Sequence, residues 1–244
     1  VLRRDVLAIT DLYSDEGYAY VNVSPLVDQD DEKLVANINF EIEKGSLVYF
    51  EEINITGNTK TRDKVIRRQL RVYEKELFSG KRLKRGVQNL YRLDFFEDVQ
   101  INTSKGSTDD QINLDVAVKE KSTGAFTFGA GFGNVENLFG TASISERNLF
   151  GRGQKLALQA QIGSKTQKFT LSFTEPWLFD KPISAGFDIY KFENEYDHYE
   201  KDAIGLTLKG AYRKFFDYTA IGLIYNIEKF EILDVETAYT SVTE

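Results

Sequence analysis

The sequence lacks two residue types and is poor in several others. Its 244 residues include no cysteine, no methionine, three prolines and one histidine. Without cysteine the chain forms no disulfide, no thiolate metal centre and no cysteine nucleophile. It also has no run of about 18 apolar residues, which excludes a membrane-spanning helix. Membrane-spanning β-strands stay open, because such strands are short and half polar.

Positive charge is not concentrated anywhere along the chain. The formal net charge is −7 and the pI is about 5.0. No basic block collects in one place, so the sequence does not predict nucleic acid as a partner. The first residue is valine and no signal peptide follows, so we expect an excised or processed segment. Its length favours roughly two domains, at about 150 residues each.

Residues 1–43 have the pattern of the end of a small α+β unit. Apolar residues recur every three or four positions, as on one face of a helix: Leu2, Val6, Ile9 and Tyr13. Two predicted strands follow, at 19–26 and 34–42, with an acidic turn between them. A helix and two strands without an opening strand make an incomplete unit.

Residues 44–121 repeat this pattern and complete it. The predicted order is strand, two helices and two strands. The signals are a strand at 47–56, a helix N-capped by Thr61, a helix beginning at Ser79-Gly80, and strands at 98–103 and 112–118. Because helix, strand, acidic turn and strand recur in the same order, the sequence predicts a repeat array.

From about residue 122 onward, strands alternate between an apolar and a polar face, with no helix between them. The apolar residues occupy every second position of seven runs: 126–132, 142–144, 156–162, 169–173, 183–189, 204–208 and 221–227. Small or polar residues lie between them. This pattern fits either two stacked sheets or a membrane β-barrel whose apolar face meets lipid.

The lengths of the runs and of their connections favour the barrel. Several runs approach the 9–11 residues or so of a tilted membrane strand. Connections on one side are short, at 149–153, 178–182 and 214–217, whereas 133–140 and 193–202 on the other side are longer. The short connection at 164–167 does not follow this rule. Trp177, at the end of a strand, is typical of the aromatic girdle at a membrane interface.

Four motifs resemble the BamA-type outer-membrane assembly factors. The segments ERNLFGRGQ (146–154) and SFTEPWLF (172–179) are similar to the first barrel hairpins of that family. FEEINITGNTKT (50–61) and LYRLDFFEDV (90–99) resemble the POTRA module that precedes the barrel. The implied fold is α+β POTRA modules followed by a partial antiparallel transmembrane β-barrel. The implied domains are the end of the penultimate POTRA (1–43), the last POTRA (44–121) and the first seven strands of a barrel of roughly sixteen (122–244).

The resemblance implies a non-enzymatic protein that inserts β-barrel proteins into the outer membrane of a Gram-negative-type cell. Its POTRA part would lie in the periplasm, its barrel in outer-membrane lipid, and it would need no cofactor. Unfolded clients would add a strand to a POTRA edge by β-augmentation. That edge comprises Val99, Gln100, Ile101, Asn102 and Thr103.

Two further sites follow from the same resemblance. The first barrel strand would form a seam that opens to template client strands, built from Phe126, Phe128, Gly129, Gly131 and Phe132. Glycine adds no side chain and weakens strand pairing there, although the same glycines also suit simple barrel packing. Arg67, Arg71 and Glu74 match a surface that holds a periplasmic accessory lipoprotein. The plainer interpretation of these three is the solvated face of a helix.

Two other functions remain open from the sequence. A translocation or two-partner secretion transporter shares the POTRA–barrel plan but passes clients through the lumen. A soluble β-sandwich adhesin belongs to another class and would need no membrane. The lone His198 lies in a charged segment and is more simply a solvated residue than a functional one.

Overall fold

The computed structural model describes residues 1–30, 33–133, 137–216 and 219–235. They form two compact units, Val1–Lys121 and Ser122–Glu244. The first unit contains α1 (Leu2–Asp15), β1 (Asn22–Asp30), β2 (Val35–Glu43), β3 (Tyr49–Thr56), α2 (Asp63–Leu70), α3 (Gly80–Leu93), β4 (Phe96–Lys105) and β5 (Gln111–Glu120). The second contains β6 (Gly124–Gly133), β7 (Asn137–Leu149), β8 (Gln154–Gly163), β9 (Thr166–Glu175), a 3-10 turn (Leu178–Asp180), β10 (Ile183–Glu195), β11 (Glu200–Phe216) and β12 (Thr219–Leu233).

No helix within those ranges is long and apolar enough to cross a membrane.

The first segment is a helix beside a two-stranded hairpin. α1 buries none of its residues, and β1 and β2 pair antiparallel from Asn22↔Glu43 to Asp30↔Val35. β1 begins and ends later than predicted, and its pairing with β2 continues into the acidic residues that we expected to form the turn. Gly17, at φ 109°, follows the helix in a left-handed conformation, as expected for a residue just past a helix end.

The second segment has the predicted order of strand, two helices and two strands. Its sheet runs β3-β5-β4, with β3 parallel and β4 antiparallel to the central β5. The apolar stripe of α2 (Val65, Ile66 and Leu70) is fully buried. It packs into one core with Leu90 of α3 and with Phe50, Ile112 and Leu114 of the sheet. This closed core fixes both outer edges of the sheet in position.

The predicted start of the second helix is confirmed, and the predicted cap of the first is wrong. Ser79 caps α3, since its hydroxyl accepts a hydrogen bond from Arg82 N–H at 3.3 Å. Thr61 does not cap α2, which begins at Asp63 with Arg62 as a cap that makes no side-chain bond. Thr61 is buried and its own N–H donates to the Glu120 carboxylate at 2.6 Å. The loop therefore turns its donors towards β5 instead of leading directly into the helix.

The second unit is one antiparallel sheet in which the seven strands lie in sequence order. The registers join one residue from every strand into a continuous apolar row: Phe126, Ile144, Leu158, Leu171, Ile189, Leu206 and Ile227. The adjacent row points to the opposite face: Thr127, Ser143, Gln159, Thr170, Tyr190, Gly205 and Glu228. Alternation in the sequence thus becomes one apolar and one largely polar face.

The predicted difference in loop length between the two ends of the sheet is wrong. Only residues 196–199 separate β10 from β11, because Glu193↔Asp202 and Glu195↔Glu200 are paired within the strands. Similarly, β6 ends at Gly133 and β7 begins at Asn137. β11 continues to Phe216, into the predicted turn at 214–217, and residues 217–218 lie outside the described residues. Backbone pairing does not depend on side-chain polarity, so it extends past the apolar positions.

Candidate functional site

The outer edge of β3 is already paired near its beginning. Backbone hydrogen bonds of 2.7–3.0 Å join Val48 and Phe50 to the segment 75–78 just before α3. An exposed row of N–H and C=O groups is what an added strand would need. This part of the edge therefore offers no place for one.

Two of the three residues predicted to dock a lipoprotein lie against the next part of the same edge. Arg67 Nη2 donates to the Ile53 carbonyl oxygen at 2.7 Å, and Ile53 N–H donates to Glu74 Oε1 at 3.4 Å. Arg67 and Glu74 also pair at 3.2 Å. A hydrogen bond to Asp63, at 2.6 Å, raises the pKa of the Arg67 guanidinium. Arg71, the third predicted residue, is the exposed C-cap of α2.

The outer edge of β4 is different. Within the described ranges β4 pairs with β5 alone. The Tyr91 hydroxyl contacts both outward groups of Val99, accepting from its N–H and donating to its carbonyl at 3.3 Å each. Along an antiparallel strand, every second residue directs its backbone N–H and C=O away from the paired neighbour. Ile101, Thr103 and Lys105 therefore direct theirs to the same outer side as Val99. These three positions form an open edge, to which no described strand is paired.

The two faces of β4 differ in polarity next to this open edge. Val99 is buried and Ile101 is half-buried against the core, whereas Gln100 and Asn102 are exposed. The backbone groups of Gln100 and Asn102 turn towards β5, where they pair with Ala117 and Asp115. A strand added beside β4 would thus have an apolar environment on one face and a polar one on the other.

Glu120 ties the end of β5 to the loop before α2. Its Oε2 accepts from Thr59 N–H at 3.0 Å, from the Thr59 hydroxyl at 2.8 Å and from Lys60 N–H at 2.8 Å. Its Oε1 accepts from Thr61 N–H at 2.6 Å. Partial burial opposes ionisation, but the hydrogen bonds from Thr61, Lys60 and Thr59 outweigh it and lower the pKa of Glu120 to about 2. The carboxylate is therefore ionised at neutral pH and holds the loop in place.

The predicted seam residues all lie on β6, a terminal strand of the seven-stranded sheet. Phe126, Phe128 and Phe132 lie on the apolar face and are 65–79% exposed. Glycine adds no side chain of its own on the other face, but the space beside Gly131 is not empty. A Cβ at that position would lie 2.5 Å from the ring of Phe139, its direct cross-strand partner on β7. The ring fills the space that the glycine leaves.

Trp177 lies in the turn between β9 and β10 and is half-buried. Its backbone N–H donates to Glu175 Oε1 at 2.8 Å. Its position at the end of the apolar face agrees with the membrane-interface role, which stays a prediction.

The charged residues near the β10–β11 connection are used in ion pairs. Lys165 pairs with Asp197 at 3.0 Å, and Lys191 pairs with Glu193. In the part of the chain that the structure describes, no three or more His, Cys, Asp or Glu residues come together to hold a metal ion.

Family models match both units. The model described as "Surface antigen variable number repeat" (POTRA) matches residues 1–45 and 48–121, and the "Omp85 superfamily domain" matches residues 148–242. The chain belongs to the Omp85 superfamily. Its fold class, POTRA repeats followed by an antiparallel barrel-type sheet, confirms the prediction from the sequence.

Two assembly factors are similar to this chain over most of its length. The "Outer membrane protein assembly factor BamA" of Nitratidesulfovibrio vulgaris is 32% identical over 97% of this chain, which covers 30% of that protein. The protein of the same name from Neisseria meningitidis is 36% identical over 71% of this chain, which covers 22% of it. The chain therefore spans a third or less of these relatives.

A solved Omp85 structure shows the same fold. The crystal structure of BamA from Haemophilus ducreyi lacking POTRA domains 1–3 superimposes with a TM-score of 0.80 at 26% identity. The match covers 94% of this chain and 45% of the other.

Several contacts of this Omp85 chain cannot be predicted from its sequence. Tyr91, Glu120 and Phe139 each bond to or cover a residue on another strand or loop. Tyr91 belongs to the LYRLDFFEDV motif, but nothing in the motif indicates that its hydroxyl reaches Val99. The only available signal for Phe139 was a glycine in a neighbouring strand.

Proposed function

We propose that this chain is part of an outer-membrane protein assembly factor, which inserts β-barrel proteins without acting as an enzyme. On this proposal residues 1–43 end one POTRA module, 44–121 form the last one, and 122–244 begin the barrel. The POTRA modules lie in the periplasm and the barrel lies in the outer membrane. Unfolded barrel proteins are the clients.

The unbroken apolar row across seven strands is the observation that carries this proposal. Its members on β6, β7 and β8, namely Phe126, Ile144 and Leu158, are 50–65% exposed. A water-soluble sheet would need a second layer over such a face, whereas lipid covers it directly. The likeness to the BamA proteins supports the same conclusion.

Clients would bind by pairing with the open edge of β4. Main-chain hydrogen bonds supply affinity with little dependence on sequence, which suits many clients. Of the predicted residues, Ile101 and Thr103 would supply the bonds, since their backbone groups face outward. Gln100 and Asn102 would line the polar side of the added strand.

Replacing Thr103 with proline tests this mode of binding. Proline removes the outward N–H but is tolerated on an edge strand, where that group faces solvent. We expect Thr103→Pro in the full-length protein to reduce crosslinking to clients and their rate of insertion. Thr103→Val keeps the N–H and is the matched control. Equal loss in both variants, or none in Thr103→Pro, would contradict edge pairing at this strand.

We also propose that the surface around Arg67, Arg71 and Glu74 docks a periplasmic accessory lipoprotein. Arg71 is the exposed C-cap of α2, and Arg67, four residues earlier, forms a partly exposed ion pair with Glu74. Glu74→Lys should place two cations together and weaken co-purification of the lipoprotein. Glu76→Lys reverses a charge in a different ion pair, with Arg82 at 2.7 Å, and is the control for a general effect of charge reversal. If both variants retain the lipoprotein equally, the solvated-face interpretation is the better one.

The strand β6 would form one side of a seam with the last barrel strand. Client strands would be templated there as the seam opens, and their insertion would be driven by burying apolar residues in lipid while every backbone group is paired. The terminal position of β6 in the sheet supports this proposal. Cross-strand pairs contribute about 0.2–1 kcal/mol each, so a short pairing opens at small cost.

A further inference from the structure

The open edge of β4 is limited at both ends. At one end the Tyr91 hydroxyl contacts the N–H and the carbonyl of Val99 at 3.3 Å, and the Asp98 carboxylate also accepts from that N–H at 2.9 Å. At the other end the chain turns back, with Gly106 N–H donating to the Gln111 carbonyl at 2.9 Å. Between these ends only Ile101, Thr103 and Lys105 present outward groups.

Such limits matter because side-chain pattern alone does not fix the register of an added strand. A shift by one residue turns every side chain to the wrong face, so an alternating strand resists it. A shift by two residues keeps each side chain on its face and meets no such resistance. Only a physical block on the edge prevents it.

We propose that Tyr91 is this block, a positioning residue that fixes where a client strand begins to pair. The proposal rests on the function proposed above and adds the register. The partner is an extended segment of alternating apolar and polar residues. Its apolar side lies over Ile101 and the Tyr91 ring, and its polar side lies beside Gln100 and Asn102. Pairing starts at Ile101 and does not reach Val99.

Tyr91 is well placed for this role. It lies near the end of α3, the helix that covers the sheet beside β4, and its side chain stays 48% exposed. Its hydroxyl thus contacts the two backbone groups of Val99 with which the next residue of an incoming strand would pair. Tyr73 offers a matched comparison, because it belongs to the same module and is 56% exposed.

Hydrogen exchange of the full-length protein, read residue by residue by mass spectrometry, tests the proposal. The probe is a synthetic peptide with the sequence of residues 154–163, QKLALQAQIG, which alternates as a barrel strand does. In the unaltered protein we expect the peptide to slow exchange at Ile101 and Thr103 by about tenfold or more and to leave Val99 unchanged. In Tyr91→Ala the protection should extend to Val99. Tyr91→Phe, which removes only the hydroxyl, should show the same extension to a smaller degree.

The controls separate this inference from the function on which it rests. Tyr73→Ala should behave as the unaltered protein, and unchanged exchange at Leu114 and Val116 reports an intact core in each variant. Protection of Ile101 and Thr103 with no difference at Val99 between Tyr91→Ala and the unaltered protein would overturn the role of Tyr91 and leave edge pairing standing. No protection in any variant would overturn edge pairing itself, and the register with it.

Discussion

Replacing Glu120 with glutamine should destabilise the last POTRA module in a manner that depends on pH. The glutamine keeps the shape of the side chain but loses the charge and one of the two acceptor oxygens. The N–H groups of Thr59, Lys60 and Thr61 and the hydroxyl of Thr59 donate to that carboxylate. The substitution therefore weakens the connection between the end of β5 and the loop that precedes α2.

The lowered pKa sets the size of the effect. The difference between the ordinary value of 4.5 and a pKa of about 2 is about 2.5 pKa units, which corresponds to about 3.4 kcal/mol. The carboxylate is partly exposed, and solvent screening reduces its contribution. We therefore expect Glu120→Gln to lower the free energy of unfolding of this module by roughly 1–2 kcal/mol at pH 7.

The direction of the pH dependence follows from the same shift. A carboxyl group whose pKa is lowered by folding stabilises the folded state fully above its unfolded pKa of 4.5. The contribution is lost as the pH falls from about 4.5 towards about 2. The difference between the unaltered protein and Glu120→Gln should accordingly shrink over this range, because protonation removes the same charge from the unaltered carboxyl group.

Urea titration of the full-length protein measures this difference. Hydrogen exchange at the core residues Leu114 and Val116 reports the unfolding of the module at each urea concentration. Glu97→Gln is the control, since Glu97 forms an exposed ion pair with Lys119 on the neighbouring strand and should contribute little to stability. A difference for Glu120→Gln that is the same at pH 6 and pH 3 would refute the argument from ionisation. No difference at pH 6 would refute the role of the carboxylate altogether.

Two further predictions concern the barrel-type sheet. Leu158→Arg places a charge in the apolar row and should cost about 2–4 kcal/mol of stability in lipid, whereas Gln159→Arg on the opposite face should cost little. Equal tolerance of the two changes, measured by folding of the full-length protein into vesicles, would show that the faces are assigned wrongly. A disulfide between β6 and the last barrel strand should stop client insertion until it is reduced. Normal insertion by the locked protein would leave transport through the lumen as the better explanation.

The alternation of residues predicts the faces of the sheet well. Phe126, Ile144 and Leu158 could be assigned to one face because side chains on a strand point alternately to its two sides, whatever the tertiary structure. The same holds for the buried stripe of α2, where Val65, Ile66 and Leu70 recur with the period of a helix. Patterns of this kind are local, and the sequence displays them directly.

Contacts between distant segments could not be predicted in this way. Thr61 has the residue type and position of an N-cap, but its side chain and its N–H both bond to a carboxylate 59 residues later in the sequence. Arg67 and Glu74 form a recognisable charged run, yet their contacts with the backbone of Ile53 depend on how α2 lies over β3. The loop lengths were wrong for a related reason, since strand pairing continues through charged residues that we expected to leave the sheet.

The glycine–aromatic pairs on the polar face of the sheet constrain how the sequence can change. Gly131 pairs directly with Phe139, and Gly205 pairs directly with Tyr190, whose ring would lie 2.2 Å from an added Cβ. In each pair the aromatic ring on one strand fills the space beside the glycine on the next strand. A mutation of either glycine is therefore acceptable only together with a smaller residue opposite it, and related sequences should show the two positions changing jointly. Loss of the ring alone leaves a gap over the glycine. The aromatic positions should therefore be substituted less often among related sequences than their exposure suggests.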